Sequence, residues 1–197
     1  MQRTAGNVMT PRLPNVSLCR LAGFTMTELM VTLSIAMILL MIGVPSFCAV
    51  IRNQKITTAA NDFFMAINLA RSEAIRRGVR VDLVPSDGGD WSKGWIIFID
   101  KNNNQIADAG EEVIFSHGPI SKDLMIRSNF TDSSKEYLAY NGTGRTRTNA
   151  SSQTPQFGTI TLMLEKQIRR IKLNFVGRPR SCNPENDSTC TGSADSK

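Results

Sequence analysis

The sequence predicts an α+β protein: one long N-terminal helix, membrane-spanning in its first half, packed on an antiparallel β-sheet head. Three observations predict it. Residues 29–51 form a run of 23 positions without a charge. Residues 56–74 then carry apolar side chains at three- and four-residue steps, the period of a one-sided helix. From residue 79 onward the pattern changes to short alternating runs divided by Gly, Pro, Asn and Asp, as in strands joined by turns.

Each element follows in chain order. Residues 1–23 carry Arg3, Arg12 and Arg20 and no acid, and Pro11 and Pro14 argue against a helix there. As a helix the uncharged run extends about 35 Å, enough to cross a hydrocarbon core of about 30 Å. The basic leader keeps to the cytoplasmic side, so the rest of the chain points outward. A Sec-type signal peptide is the alternative; it fits poorly, because the apolar stretch is too long and no A-x-A-like site follows it. Glu28 opens the apolar run. An ionisable group there reads either as a partner-seeking charge or as a carboxylate favoured by the helix N-terminus. Ile56, Ala59, Ala60, Phe63, Ile67, Ala70 and Ala74 form one face of the continuing helix, with Asn61, Asn68, Arg71, Ser72 and Arg76 on the other. Gly78 is the stop signal, with Arg76 and Arg77 in the last turn. The helix is predicted over 25–77, roughly 80 Å, with Pro45 kinking or locally melting it.

In the head, strands are predicted at 79–84, at 94–100 (GWIIFID), and over 113–116, 125–127 and 137–140. The clearest pair comes late. Ile160, Leu162 and Leu164 alternate with Thr159, Thr161 and Met163; Ile171, Leu173 and Phe175 alternate with Arg170, Lys172 and Asn174. Glu165-Lys166-Gln167 connects them.

Composition narrows the function. The 197 residues include 23 Lys+Arg, 17 Asp+Glu, four Cys and a single His, His117 beside Gly118-Pro119 in a turn context. One histidine leaves no triad and no histidine metal centre to build. No nucleophile–base set, phosphate-cradling Gly loop or metal cluster is visible, so neither an enzyme nor a cofactor is expected. Asp100 to Asp108 repeats a D-x-N-x-N spacing ahead of Glu111, which suits either a calcium loop or an ordinary Asn/Asp turn; position six is Gln105 in place of Gly. Charge is uneven. Residues 24–144 hold 11 basic and 13 acidic residues, net −2, whereas residues 145–180 hold eight basic residues and one acid, net +7.

Gly23-Phe24-Thr25-Met26-Thr27-Glu28-Leu29, followed by the apolar run with Pro45, resembles the N-terminus of a type IV pilin or pseudopilin. The resemblance implies cleavage between Gly23 and Phe24 by a prepilin peptidase, N-methylation of Phe24, and pairing of Glu28 with the terminal amine of a neighbouring subunit during assembly. A carboxylate and an ammonium together offset each other's desolvation in an apolar filament core. ARSEAIRRG (70–78), GWIIFID and the Asn-rich turn ending in Gly110-Glu111-Glu112 are similar to the GspH/FimT family of minor pilins, over residues 24–180. The implied organisation is a cleaved leader (1–23), a transmembrane and filament-core helix (24–51), the amphipathic half of that helix (52–78), a β-rich head (79–181) and a polar tail (182–197). The implied partners are other major and minor pilins, the prepilin peptidase and, before assembly, the inner membrane, with the head in the periplasm.

Gly177-Arg178-Pro179-Arg180 matches the GRxR motif of FimT-like members that bind DNA during natural transformation. Gly177 lets the backbone turn, Pro179 biases Arg178 towards an extended conformation, and two arginines reach phosphates as planar, permanently charged donors. Arg170 and Lys172 are expected on the exposed face of the preceding strand, and Arg145 and Arg147 as an extension of the patch. Recognition of the phosphate backbone, with little sequence preference and no aromatic platform, is the expectation. A solvated basic strand face is the alternative, and a type II secretion pseudopilin with a purely structural role is the rival function. Cys19 falls in the leader and Cys48 in the membrane span. Cys182 and Cys190, outside the cytoplasm, are expected to pair.

Overall fold

The computed structural model describes residues 23–191; positions 1–22 of the expected leader, with Cys19, and the tail from residue 192 lie outside the described residues. The chain divides into two compact units, residues 1–45 and 46–197, and helix α1 (Met26–Arg77) contributes to both.

In the first unit Thr25 caps the helix. Its hydroxyl oxygen accepts the Glu28 N–H at 3.2 Å and its carbonyl accepts the Leu29 N–H at 3.1 Å. Glu28 thereby occupies the third helical position, where a carboxylate suits the positive end of the helix. Every residue from 23 to 44 is exposed. Among the described residues α1 is the one helix long and apolar enough to cross a membrane, with a mean hydropathy of 2.4 in its most apolar window. The helix runs unbroken through position 45, so the local melting expected there does not occur.

In the second unit, α1 buries one stripe: Ile56, Ala59, Ala60, Phe63, Ala66, Ile67, Ala70 and Ala74, the inward face of an amphipathic helix. Gly78, at φ 67°, ends it, donating its N–H to the Ala74 carbonyl at 2.9 Å. Among the described residues nine strands follow, arranged in two antiparallel sheets where the sequence suggested one. β1 (Val81–Pro85), β2 (Trp95–Phe98), β3 (Val113–His117), β5 (Leu138–Tyr140) and β6 (Thr146–Arg147) form the first, in the order β3-β2-β1-β5-β6. β4 (Leu124–Phe130), β7 (Gly158–Leu164), β8 (Gln167–Leu173) and β9 (Pro179–Cys182) form the second, in that order. Residues of both sheets join the helical stripe in one core. Phe63 sits at its centre, edge-on to Trp91 at 5.1 Å and to Trp95 at 4.9 Å. β7 and β8 pair through a tight turn at Glu165-Lys166, with Leu164 opposite Gln167.

A buried ion cluster ties the start of β1 to the Asn-rich loop. Arg80 grips Asp82 through both carboxylate oxygens, at 2.7 and 2.5 Å, and reaches Asp100 at 3.1 Å. Asp100 also accepts the N–H groups of Asn103 at 2.6 Å and Gln105 at 3.1 Å. Asp108 accepts the side-chain amides of Asn102 and Asn104 at 2.8 and 2.6 Å, and Glu111 accepts the Lys101 N–H at 2.8 Å. The loop thus closes on its own donors, with Arg80 providing the positive charge beside Asp100.

Burial pushes the Asp82 carboxyl up to about 7, with Asp100 adding to the shift and Arg80 opposing it. A carboxyl raised on folding takes up a proton between its unfolded and folded values, so its stabilisation is lost as pH rises through about 7. Thermal unfolding of the full chain is expected to show stability falling between about pH 4 and pH 7, by at most about 1.4 kcal/mol per pH unit. Asp82→Asn is expected to flatten that slope.

Candidate nucleic-acid interface

The β8–β9 hairpin is closed by the turn Asn174-Phe175-Val176-Gly177-Arg178. The Asn174 side-chain carbonyl accepts the N–H of Val176 at 3.1 Å and of Arg178 at 2.8 Å, so one side chain shapes the turn. Gly177 adopts φ 82°. A Cβ there would lie 2.9 Å from the Tyr140 ring and 3.0 Å from the Thr146 nitrogen. Glycine is therefore required twice over, by its conformation and by its neighbours. Tyr140, wholly buried, donates its hydroxyl to the Gly177 carbonyl at 2.9 Å. The turn of the second sheet is pinned to the end of the first.

Arg178 leaves this turn exposed. Among the described residues its guanidinium forms no hydrogen bond or ion pair, although its backbone is held by Asn174 at both N–H and carbonyl. Arg180 lies within β9 rather than in a loop, opposite Lys172 of β8. Its guanidinium pairs with Asp187 and donates to the Thr189 hydroxyl at 2.9 Å. Asp187 is held below the usual carboxylate range by hydrogen bonds from Thr189 and by Arg180. Lys172 donates to the Thr189 carbonyl at 3.1 Å. Lys172, Arg178 and Arg180 line one shallow groove together with Phe157.

Arg170 is a correction. Alternation puts it on the outer face with Lys172, as expected, but that face is covered at its position. Cys182, its partner in register, is joined to Cys190 with Cα atoms 5.9 Å apart, and the closed loop lies across the strand. Arg170 is only 1% exposed and donates to the Cys190 carbonyl, so it supports the loop and is withdrawn from the surface.

The second pair divides. Arg145 is exposed and lines a neighbouring groove with Phe175 of the same turn. Arg147 is folded back on its own loop, half-buried, donating to the carbonyls of Thr148 at 3.1 Å and Asn149 at 3.2 Å. Burial, then the nearby Arg80, lowers its proton affinity. At the other end of the chain Gly23, Phe24 and Glu28 are all exposed. The sequence reading missed two features. Phe175, read as continuing the alternation of Ile171 and Leu173, lies instead in the turn beyond the end of β8 at Leu173; it and Phe157, 68% and 46% exposed, stand beside the arginines, where no aromatic platform was expected. Asp187 was passed over as tail, although the ring closed by two cysteines restricts where it can sit.

Residues 59–177 match the family model described as type II transport protein GspH. The chain belongs to the GspH family. That match takes in the inward stripe of α1 from Ala59 onward, most of both sheets and Gly177, and stops just before Arg178. The fold of this GspH-family chain is like that of the type IV minor pilin FimU of Pseudomonas aeruginosa. One crystal form gives 18% identity and a TM-score of 0.53, over 68% of this chain and 92% of that one. A second form gives 18% identity and 0.51, over 66% and 94%. The minor pseudopilin EpsH from the type 2 secretion system of Vibrio cholerae gives 13% identity and 0.48, over 66% and 98%. No curated protein matches the sequence significantly.

Gly177→Ala is expected to lower the unfolding free energy by about 1–3 kcal/mol, from positive-φ strain and collision with Tyr140. Gly89→Ala, with open space around it and no positive φ, is the neutral control. Denaturant titration of the full chain in non-ionic detergent measures both.

Proposed function

We propose that this GspH-family chain is a minor pilin that joins a type IV pilus and binds DNA through the β8–β9 turn, supporting DNA uptake in natural transformation. The observation that carries the reading is Arg178: an exposed guanidinium without a protein partner among the described residues, on a turn fixed by Asn174, Gly177 and Tyr140. Lys172 and Arg180 stand beside it, in a segment of net charge +7. A fixed cation open to solvent suits phosphate contacts, which position a nucleic acid without reading its bases. In the same reading a prepilin peptidase cleaves between Gly23 and Phe24, Phe24 is methylated, α1 anchors the subunit in the inner membrane with its head in the periplasm, and Glu28 meets the terminal amine of a neighbour. The exposed Glu28 carboxylate, which has no ion pair among the described residues, supports the last step.

The family description favours a second reading, a type II secretion pseudopilin with an assembly role alone. The two separate on one titration. With the full chain in non-ionic detergent, labelled duplex is expected to bind with a log–log salt slope of about −3, for roughly three phosphates neutralised. Because Arg180 is already paired, Arg178→Gln is expected to weaken binding more than Arg180→Gln, and Asp187→Asn is expected to strengthen it. Equal binding by wild type and Arg178→Gln would remove Arg178 from the reading, and no binding by wild type would overturn the DNA reading and leave the assembly role. In cells, the Arg178→Gln/Arg180→Gln variant is expected to lose DNA uptake while filaments still form.

A further inference from the structure

We propose that the β8–β9 turn takes single-stranded DNA in preference to duplex, bases stacking on Phe157 and Phe175 while Arg178 and Arg145 hold the backbone. The proposal rests on the DNA-binding reading and goes beyond it by naming the form of nucleic acid. Its basis is the pairing of rings with cations. Phe157 shares a groove with Arg178, Lys172 and Arg180. Phe175, in the turn itself, shares the adjoining groove with Arg145. Both rings are open to solvent, at 46% and 68% exposure, and neither packs against the core that Ile171 and Leu173 join.

A duplex offers phosphates to such a surface but keeps its base faces within its own stack. A single strand offers both, since its bases splay and any base has a π-face to lay on a ring. A strand crossing the turn would meet one cation–phenylalanine pair and then the other. An apolar protein partner would suit the rings alone. The flanking arginines, in a segment carrying eight basic residues and one acid, make a polyanion the complementary occupant. Stacking tolerates sequence, so the preference is for strandedness and not for a motif.

The test compares an oligothymidylate with a duplex of the same length, both labelled, binding to the full chain in non-ionic detergent. The single strand is expected to bind about tenfold tighter, with a shallower salt slope because stacking releases no counterions. Phe157→Ala/Phe175→Ala is expected to lose about tenfold for the single strand and to leave duplex binding within about twofold. Phe157→Leu/Phe175→Leu, which keeps the apolar bulk without the π-face, is expected to behave like the alanine pair. Equal affinity of wild type for the two forms, or wild-type single-strand binding by the leucine pair, would overturn this proposal and leave duplex binding standing. Binding of neither form would remove both readings.

Discussion

The inward stripe of α1 is mostly alanine, and the head depends on that economy of size. Ala59, Ala60, Ala66, Ala70 and Ala74 let two sheets approach one helix closely. Only Ile56, Phe63 and Ile67 add bulk, and Phe63 fills the space where Trp91 and Trp95 converge. A close-packed interior of this kind tolerates little change in volume. A larger residue at an alanine would push a sheet outward, and a smaller one at Phe63 would leave both indoles without their central contact.

From that core a short chain of contacts leads to the surface. β5 is held by β1 and ends in Tyr140, whose hydroxyl fixes the Gly177 carbonyl. Gly177 and Asn174 fix the backbone of Arg178. The solvent-facing arginine therefore inherits its place from buried groups on a different sheet. Arg170, in a strand that reads as equally basic, is turned to internal use. Its guanidinium, only 1% exposed, engages the Cys190 carbonyl beneath the closed tail loop. A run of positive charge in sequence therefore overstates the charge that reaches solvent.

Much of the fold was legible because it follows from period. The three- and four-residue spacing of α1 names the face that is buried, and alternation in 159–164 and 170–173 names the inward side chains Ile160, Leu162, Ile171 and Leu173. What period cannot supply is the cover on the other face. Alternation assigned Arg170 to the outside of β8 correctly, yet the Cys182–Cys190 loop comes from nine residues further on and has no periodic signature. β6 is two residues long and β9 begins with proline at a sheet edge, so neither carries an alternating run to recognise. The division into two sheets escaped for a related reason: pairing order is set by long-range contacts that a local pattern does not encode. The site was legible to the same degree. Gly177 and Arg178 were marked by local turn chemistry, whereas the rings beside them and the acid opposite Arg180 depend on tertiary approach.

The loop closed by Cys182 and Cys190 gives Arg180 a resident anion. An anion approaching Arg180 competes with the Asp187 carboxylate, which is tethered nearby and so present at high effective concentration. A free monovalent anion competes poorly on those terms. A polymer whose neighbouring charges are already anchored elsewhere arrives with a comparable local concentration and can make the exchange. In the DNA-binding reading proposed above, that exchange favours a polyanion over a small anion at Arg180.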